Sequence, residues 1–530
     1  MKIVKLLGIL LVIAIALCSG GCSSDEPANP GNTNITSSFD PAFALELQKR
    51  GYIKDASNIT ADDVKDIVEL DVSGKGWDWN LNDYVYGDLT SLRGIEHFQS
   101  LYGLRCSYNQ LKSIDVSKNV ELEWLDCAGN QLSALDVSKN VELLSLDCAE
   151  NQLSALDVSN NTALTMLACT YNQLSSLDVS ANTALDFLYC YGNQLESLDV
   201  SKNPDLEILW CGSNQLSSLD LGENTVIQEL RCADNQLTAL DVSRTAALKE
   251  LVCYDNQLSE LNVGKNEVLE ELCCEANQLS TLDVSQNVAL KFLECGYNQL
   301  SALDISNNKA LESLRCSGNR LSTLDVSKNA ALKTLECSGN VLRSLSMGEN
   351  MMLDELGCGY NQLSTLDVSK NTALKKLFCS GNELRSLSLS ENTMLGELYC
   401  GENQLSALDV SKNPYLEYLY CVENQLTTLD VSNNIALKSL SCTGNQLSSL
   451  SISGNTMLGE LCCADNQLST LDISNNKVLE RLECCVNPGD GSGVFVVTAW
   501  FGNDAVPSGF DFGSWEYNGQ WVTTDYRKAE

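Results

Sequence analysis

The 530-residue chain contains a single histidine, His97. That count alone removes several kinds of chemistry. An H-E-x-x-H zinc helix cannot form, and any Ser-His-Asp or Cys-His device would have to run through His97. Basic residues are scarce too: 34 Lys and Arg stand against 70 Asp and Glu, a formal charge of −36. A nucleic-acid partner is therefore not expected, because a phosphate-binding face needs clustered Lys and Arg to release counterions. The balance suits a soluble, self-repelling surface. No C-x-x-C pair exists, which argues against a metal site. The apolar run at the N-terminus, Leu6 to Leu17, is about 12 residues long, whereas a bilayer span takes about 20.

That run has the length of a secretory signal, with Lys2 and Lys5 as its basic start. The stretch Ser19-Gly20-Gly21-Cys22 resembles a bacterial lipoprotein box, Leu-Ala/Ser-Gly/Ala-Cys, without the leading Leu. The resemblance implies a signal over residues 1–21 and a lipid on Cys22. An ordinary cleaved signal without lipid is the alternative. Ser23-Ser24-Asp25-Glu26 resembles the acidic tag that sends some lipoproteins to the outer face of the outer membrane. Residues 22–38, rich in Ser, Asn, Pro, Gly and Thr, form a flexible tether. The body is thus expected outside the cytoplasm, facing the cell exterior.

Cysteine is plentiful, at 24 of 530 residues. Even so, this is about half the density of a small disulfide scaffold. Spacing supplies another reason. Nineteen cysteines recur every 21 residues from Cys106 to Cys484, and an asparagine follows each by three, from Asn109 to Asn487. Each unit has two similar halves, L-x-x-L-x-C-x-x-N-Q and L-x-x-L-D-V-S-x-N-x-x. In both, core residues alternate with non-core ones, which is strand period. The pattern predicts a repeat solenoid with a short parallel strand on each side of every coil and turns at the asparagines. One coil cannot bury its own leucines, so its neighbours complete the core. Each buried Leu contributes roughly 1.5–3 kcal/mol. At a strand spacing of about 4.8 Å, the 19 coils make a rod roughly 90 Å long. The asparagines should bond the turn backbone as an internal ladder.

These units resemble the leucine-rich repeat family, in its irregular 21-residue class L-x-x-L-x-C-x-x-N-x-L-x-x-L-D-L-x-x-N-x-x. The resemblance covers residues 101–487. It implies a recognition scaffold of the internalin-like kind, often on a cell surface.

A solenoid needs caps. Residues 39–100 should form the N-terminal one. Asp40-Pro41 starts a helix that Gly51 ends, Thr60-Ala-Asp-Asp63 starts a second, and Leu70-Asp-Val72 is a first half-repeat. Lys54 to Asn58 lacks regular calcium ligands. Trp77, Trp79, Tyr84 and Tyr86 alternate in residues 74–88, as a hairpin covering the first coil or a contact loop. Residues 488–530 read as a β-rich C-terminal cap with an Asn518-Gly519 hairpin turn.

In L-x-C, Leu and Cys share a face, so the repeating cysteines point inward as small hydrophobes. Cys273 and Cys462 sit one place earlier and should face solvent, and Cys485 sits one place later. These three are the candidate reactive thiols. The Asp of L-D-V occurs in 14 of 18 units, replaced by Asn262, Ser346, Ser388 and Ser451. The replacements keep an acceptor but not a charge, which favours turn capping over a calcium ladder.

Residues at minus three, minus one and plus one from each repeating cysteine face outward. Phe187, Tyr189, Tyr191, Ile208 and Trp210 gather there, with Trp124 and Met166 nearer the N-terminal end. Glu229, Glu250, Glu271, Glu275 and Glu294 follow, and then Phe378, Tyr399, Tyr418 and Tyr420. Exposed aromatics are typical binding anchors, though they also stiffen sheets. No acid–base or nucleophile constellation is present, so neither enzyme activity nor a cofactor is expected. A protein ligand, in adhesion or host contact, is the first expectation, and a glycan the second.

Overall fold

The computed structural model describes residues 33–78, 83–348, 350–510 and 513–529. The signal, Cys22, most of the tether and Trp79 lie outside the described residues. Helix α1 (Pro41–Lys49) begins where the sequence places it. The Asp40 carboxylate accepts the N–H groups of Ala42 at 2.9 Å and Phe43 at 3.3 Å, and Pro41 needs no acceptor. Helix α2 (Ala61–Val64) starts with the Asp63 carboxylate accepting both the Thr60 N–H and its hydroxyl.

Each coil then contributes one three-residue strand ending just before its repeating cysteine. Nineteen such strands, from Gly103–Arg105 to Arg481–Glu483, join with Glu69–Asp71 into one twenty-stranded parallel sheet. An unbroken 21-residue period stacks like on like, so Leu125 aligns with Leu146 and Leu146 with Leu167. Those leucines are buried, as are all 19 repeating cysteines. The half-repeat at Leu70 joins this same sheet, with Leu70 opposite Leu104, although its L-D-V letters belong to the other half.

The second strand expected in every coil forms in few places. Thr323–Asp325 pairs with Ser344–Ser346, and single bridges join Asp199 to Asp220 and Asp430 to Ser451. Asp136 Oδ1 accepts the Ser138 N–H at 2.9 Å, and the same Asp–Ser bond recurs along the rod, for example at Asp157 and Asp178. The bond is kept where pairing does occur, at Asp325, Asp199, Asp220 and Asp430, so it caps the turn without deciding the pairing. The aspartates thus cap turns, and the Ser bonds hold carboxyls such as Asp178 below their usual range.

Asparagine ladders tie coil to coil. Asn130 Nδ2 donates to Cys106 O at 3.1 Å in the previous coil and to Cys127 O at 3.0 Å in its own. Its Oδ1 accepts the Leu111 N–H at 3.0 Å. A second ladder lies on the other side of the core. Asn140 Nδ2 donates to Val116 O and Asn119 O, at 3.0 and 2.8 Å.

Both ends of the sheet are closed. At the N-terminal edge the Arg50 guanidinium donates to Asp71 O at 3.1 Å and Ser73 O at 2.5 Å, while the Tyr52 hydroxyl accepts the Asp71 N–H at 2.9 Å. Those groups would otherwise invite another strand. The antiparallel pair Gly76–Asp78 and Asp83–Val85 stands over the first coil, with Tyr84 stacked on Tyr108 at 5.5 Å. At the other end, Val494–Ala499, Ser514–Tyr517 and Gln520–Lys528 form a sheet with Thr470–Asp472. The Leu482 N–H donates to Gly509 O at 2.9 Å, capping the last strand. Asn518 and Gly519 both have positive φ, as the hairpin turn requires.

Candidate ligand-binding face

Strand alternation turns the residues on either side of each core leucine outward, so the long sheet presents parallel rows. Register decides which predicted residues meet. Met166, Phe187 and Ile208 are in-register neighbours on one row, and Tyr189 and Trp210 on the next. All five are half-buried, a contiguous apolar patch on three coils. Tyr189 meets Trp210 edge to face at 5.0 Å. The Arg231 guanidinium lies 4.6 Å over the indole and bonds Glu250 at 2.5 Å. The Trp210 Nε1 donor is buried with no acceptor. Such a donor is costly to leave unmade.

Tyr191 adjoins the patch and meets Tyr171 at 5.4 Å. Trp124 does not belong to it. Ser145 separates it from Met166, and its ring packs on Tyr102 and under Arg105, 4.8 Å from the guanidinium carbon. Further along, Phe378, Tyr399 and Tyr420 form a stack, with centroids 4.9 and 4.5 Å apart. Tyr418 stands on the adjacent row, between Glu397 and Ser439.

Sequence reasoning missed Arg231, Arg105 and Tyr171. The arginines occupy the minus-one row of neighbouring coils, so the row had to be read across coils. Tyr171 sits at plus two, where φ of 51° swings the ring to the rim and 57% exposure. Periodicity does not report that angle.

Two expected reactive thiols are corrected. Cys273 and Cys462 do sit on the outer row, but each is only 8% exposed. Carboxylates close over them: the Cys273 thiol donates to Glu271 and Glu294, each at 3.7 Å. Burial first, and the adjacent Glu483 carboxylate second, push the Cys462 thiol up to about 12. A thiol held protonated is a poor nucleophile. Cys485 is half-buried.

Burial alone likewise raises the inward thiols, Cys379 for example to about 12. Native protein treated with iodoacetamide should therefore keep its repeating cysteines unmodified until unfolded. Cys316→Ser should cost roughly 1–3 kcal/mol through hydroxyl burial, read from the urea midpoint. Labelling of many repeating thiols in the native state would contradict the inward ladder. Carboxylates are also desolvated on this face. Asp147 is pushed up to about 6, by burial first.

No protein-family model matches the chain, and no curated protein sequence matches it. Solved structures do. The functional domain of InlJ from Listeria monocytogenes, described as including a cysteine ladder, is 31% identical. That match covers 76% of this chain and 72% of that one, at TM-score 0.51. YopM from Yersinia enterocolitica is 24% identical over 87% and 91% of the two chains, at TM-score 0.59. The plant peptide hormone receptor RGFR1, solved in complex with RGF2, is 22% identical over 83% and 77%, at TM-score 0.68. The last two similarities concern the fold alone.

Proposed function

Because this chain belongs to the leucine-rich repeat family, in its internalin-like form, we propose that it is a non-enzymatic recognition protein that binds a protein partner through its strand face. One observation carries the reading: the half-exposed patch of Met166, Phe187, Ile208, Tyr189 and Trp210 on three successive coils. Large anchors clustered on a rigid surface are where binding energy concentrates. RGFR1, a receptor with the same fold, was solved with a ligand bound. The cell-surface setting is part of the proposal. Lipid on Cys22 would hold the body to the outer membrane, and the tether would present it outward for adhesion or host contact.

Tyr189→Ala with Trp210→Ala should weaken binding to cultured epithelial cells about 30-fold or more, as expected for a hot spot worth at least 2 kcal/mol. Circular dichroism should show an unchanged fold. Undiminished cell binding by the folded double variant would refute the patch. Specific capture on a glycan array, lost in the same variant, would reassign the ligand to sugar.

A further inference from the structure

The rows beyond the patch carry charge in an unusual order. Ile208 aligns with Glu229, Glu229 with Glu250, and Glu250 with Glu271, so three carboxylates stand directly opposite one another in the sheet. Glu275 and Glu294 flank them, and all five are half-buried. Like charges in register destabilise a sheet. The next row shows that this chain can do otherwise. There Lys291 bonds Glu270 at 2.7 Å, and Lys333 bonds Glu312 at 2.7 Å. On the row that ends each strand, beside the glutamates, Arg231 neutralises Glu250, and Arg315 pairs with Glu294 at 2.9 Å. Among the described residues, Glu229, Glu271 and Glu275 form no ion pair within 4.0 Å. Burial, and then neighbouring carboxylates (Glu250 for one, Glu294 for the other), hold Glu271 and Glu275 above the usual carboxyl range. Arg231 and Arg315 are the basic residues beside them, and both are engaged, Arg231 by Trp210 and Glu250 and Arg315 by Glu294.

We infer that the partner docks as a cationic polypeptide segment whose apolar side chains seat on the Phe187–Trp210 patch and whose Lys or Arg side chains lie over Glu229, Glu271 and Glu275. The patch and the acidic row are continuous through the Ile208–Glu229 pairing. One occupant can therefore engage both, and its charges would relieve the repulsion the free fold carries. At about 4.8 Å per coil the acidic stretch, four strands across, matches roughly four or five extended residues. The assignment rests on the strand face being the docking surface.

The test uses the full chain and a fluorescein-labelled synthetic peptide carrying Trp and Leu at one end and five Lys beyond. The same peptide with Glu for Lys, and a chitosan oligomer, serve as comparators. At 0.15 M salt the Lys peptide should bind at least tenfold tighter than the Glu peptide. Glu229→Gln, Glu271→Gln and Glu275→Gln together should weaken it at least tenfold and flatten its salt dependence. The triple variant Asp157→Asn, Asp178→Asn and Asp199→Asn removes the same charge from the opposite face, and it should change binding less than twofold. Equal effects of the two triples would reduce the attraction to net charge and overturn the assignment. So would equal binding of the Lys and Glu peptides, or equal binding of chitosan. If Tyr189→Ala with Trp210→Ala abolishes peptide binding while the glutamine triple leaves it intact, the docking face stands and the cationic assignment falls. If neither set matters, both fall.

Discussion

Asn298→Ala should destabilise the coils around it by about 2–4 kcal/mol. Asn298 Nδ2 donates to Cys274 O and Gly296 O, each at 3.0 Å, and its Oδ1 accepts the Leu279 N–H at 2.9 Å. The consequences of truncation are unequal. Cys274 O keeps a second donor in Asn277, at 3.3 Å. The Leu279 N–H is left without an acceptor in the core, and that desolvated donor dominates the cost. The other ladder behaves differently. Asn287 donates to Val263 O and Asn266 O, at 2.9 and 2.8 Å, but both carbonyls also accept backbone N–H groups. Its buried Oδ1 has no partner to lose. Asn287→Ala should therefore cost about 1 kcal/mol or less. Amide exchange over the coils from Cys253 to Cys316 reads both, because a solenoid opens locally rather than in one step. Equal losses at the two sites would contradict the bonding described.

Gly129→Val should cost about 2–4 kcal/mol, split between backbone strain and a blocked stacking site. Gly129 has φ of 60°, which a β-branched residue scarcely tolerates. A Cβ there would stand 2.5 Å from the Tyr108 ring. That ring cannot simply swing away, since Tyr84 stacks on it at 5.5 Å. Gly129→Asn accepts the angle more readily and should show about half the loss. The same pairing recurs where Tyr171 covers Gly192, Tyr297 covers Gly318 and Tyr360 covers Gly381. Thermal unfolding of the two variants checks the split, and equal losses would assign everything to the ring.

Much of this architecture can be read from the letters because one packing problem is solved 19 times. Leu314 and Cys316 are inward for the reason every Leu-x-Cys pair is inward, and a 21-residue spacing without slips leaves no freedom in register. The aspartates were legible through Ser346, Ser388 and Ser451, which keep an acceptor while dropping the charge. What escaped depends on neighbours a full coil away. Cys273 faces outward as alternation demands, yet Glu294 from the next coil covers it. The second strands form in few places although Leu135 and Val137 are both buried as strand residues would be, so hydrophobic period alone does not report the pairing. At the candidate site, composition found the aromatic residues. Only register separated Trp124, which belongs to Tyr102 and Arg105, from the Met166–Phe187–Ile208 row.

The central claim is that this solenoid recognises a protein with its strand face and not with its turn-capped opposite side. Site-specific photo-crosslinking tests it most directly. A benzoylphenylalanine is placed at Phe187 in one variant and at Asp178, on the opposite face of the preceding coil, in another. Each variant is illuminated on the surface of cells to which the protein binds. The account predicts a covalent partner adduct from position 187 and none from position 178. An adduct from 178, or a bound partner that never crosslinks from 187, would contradict it.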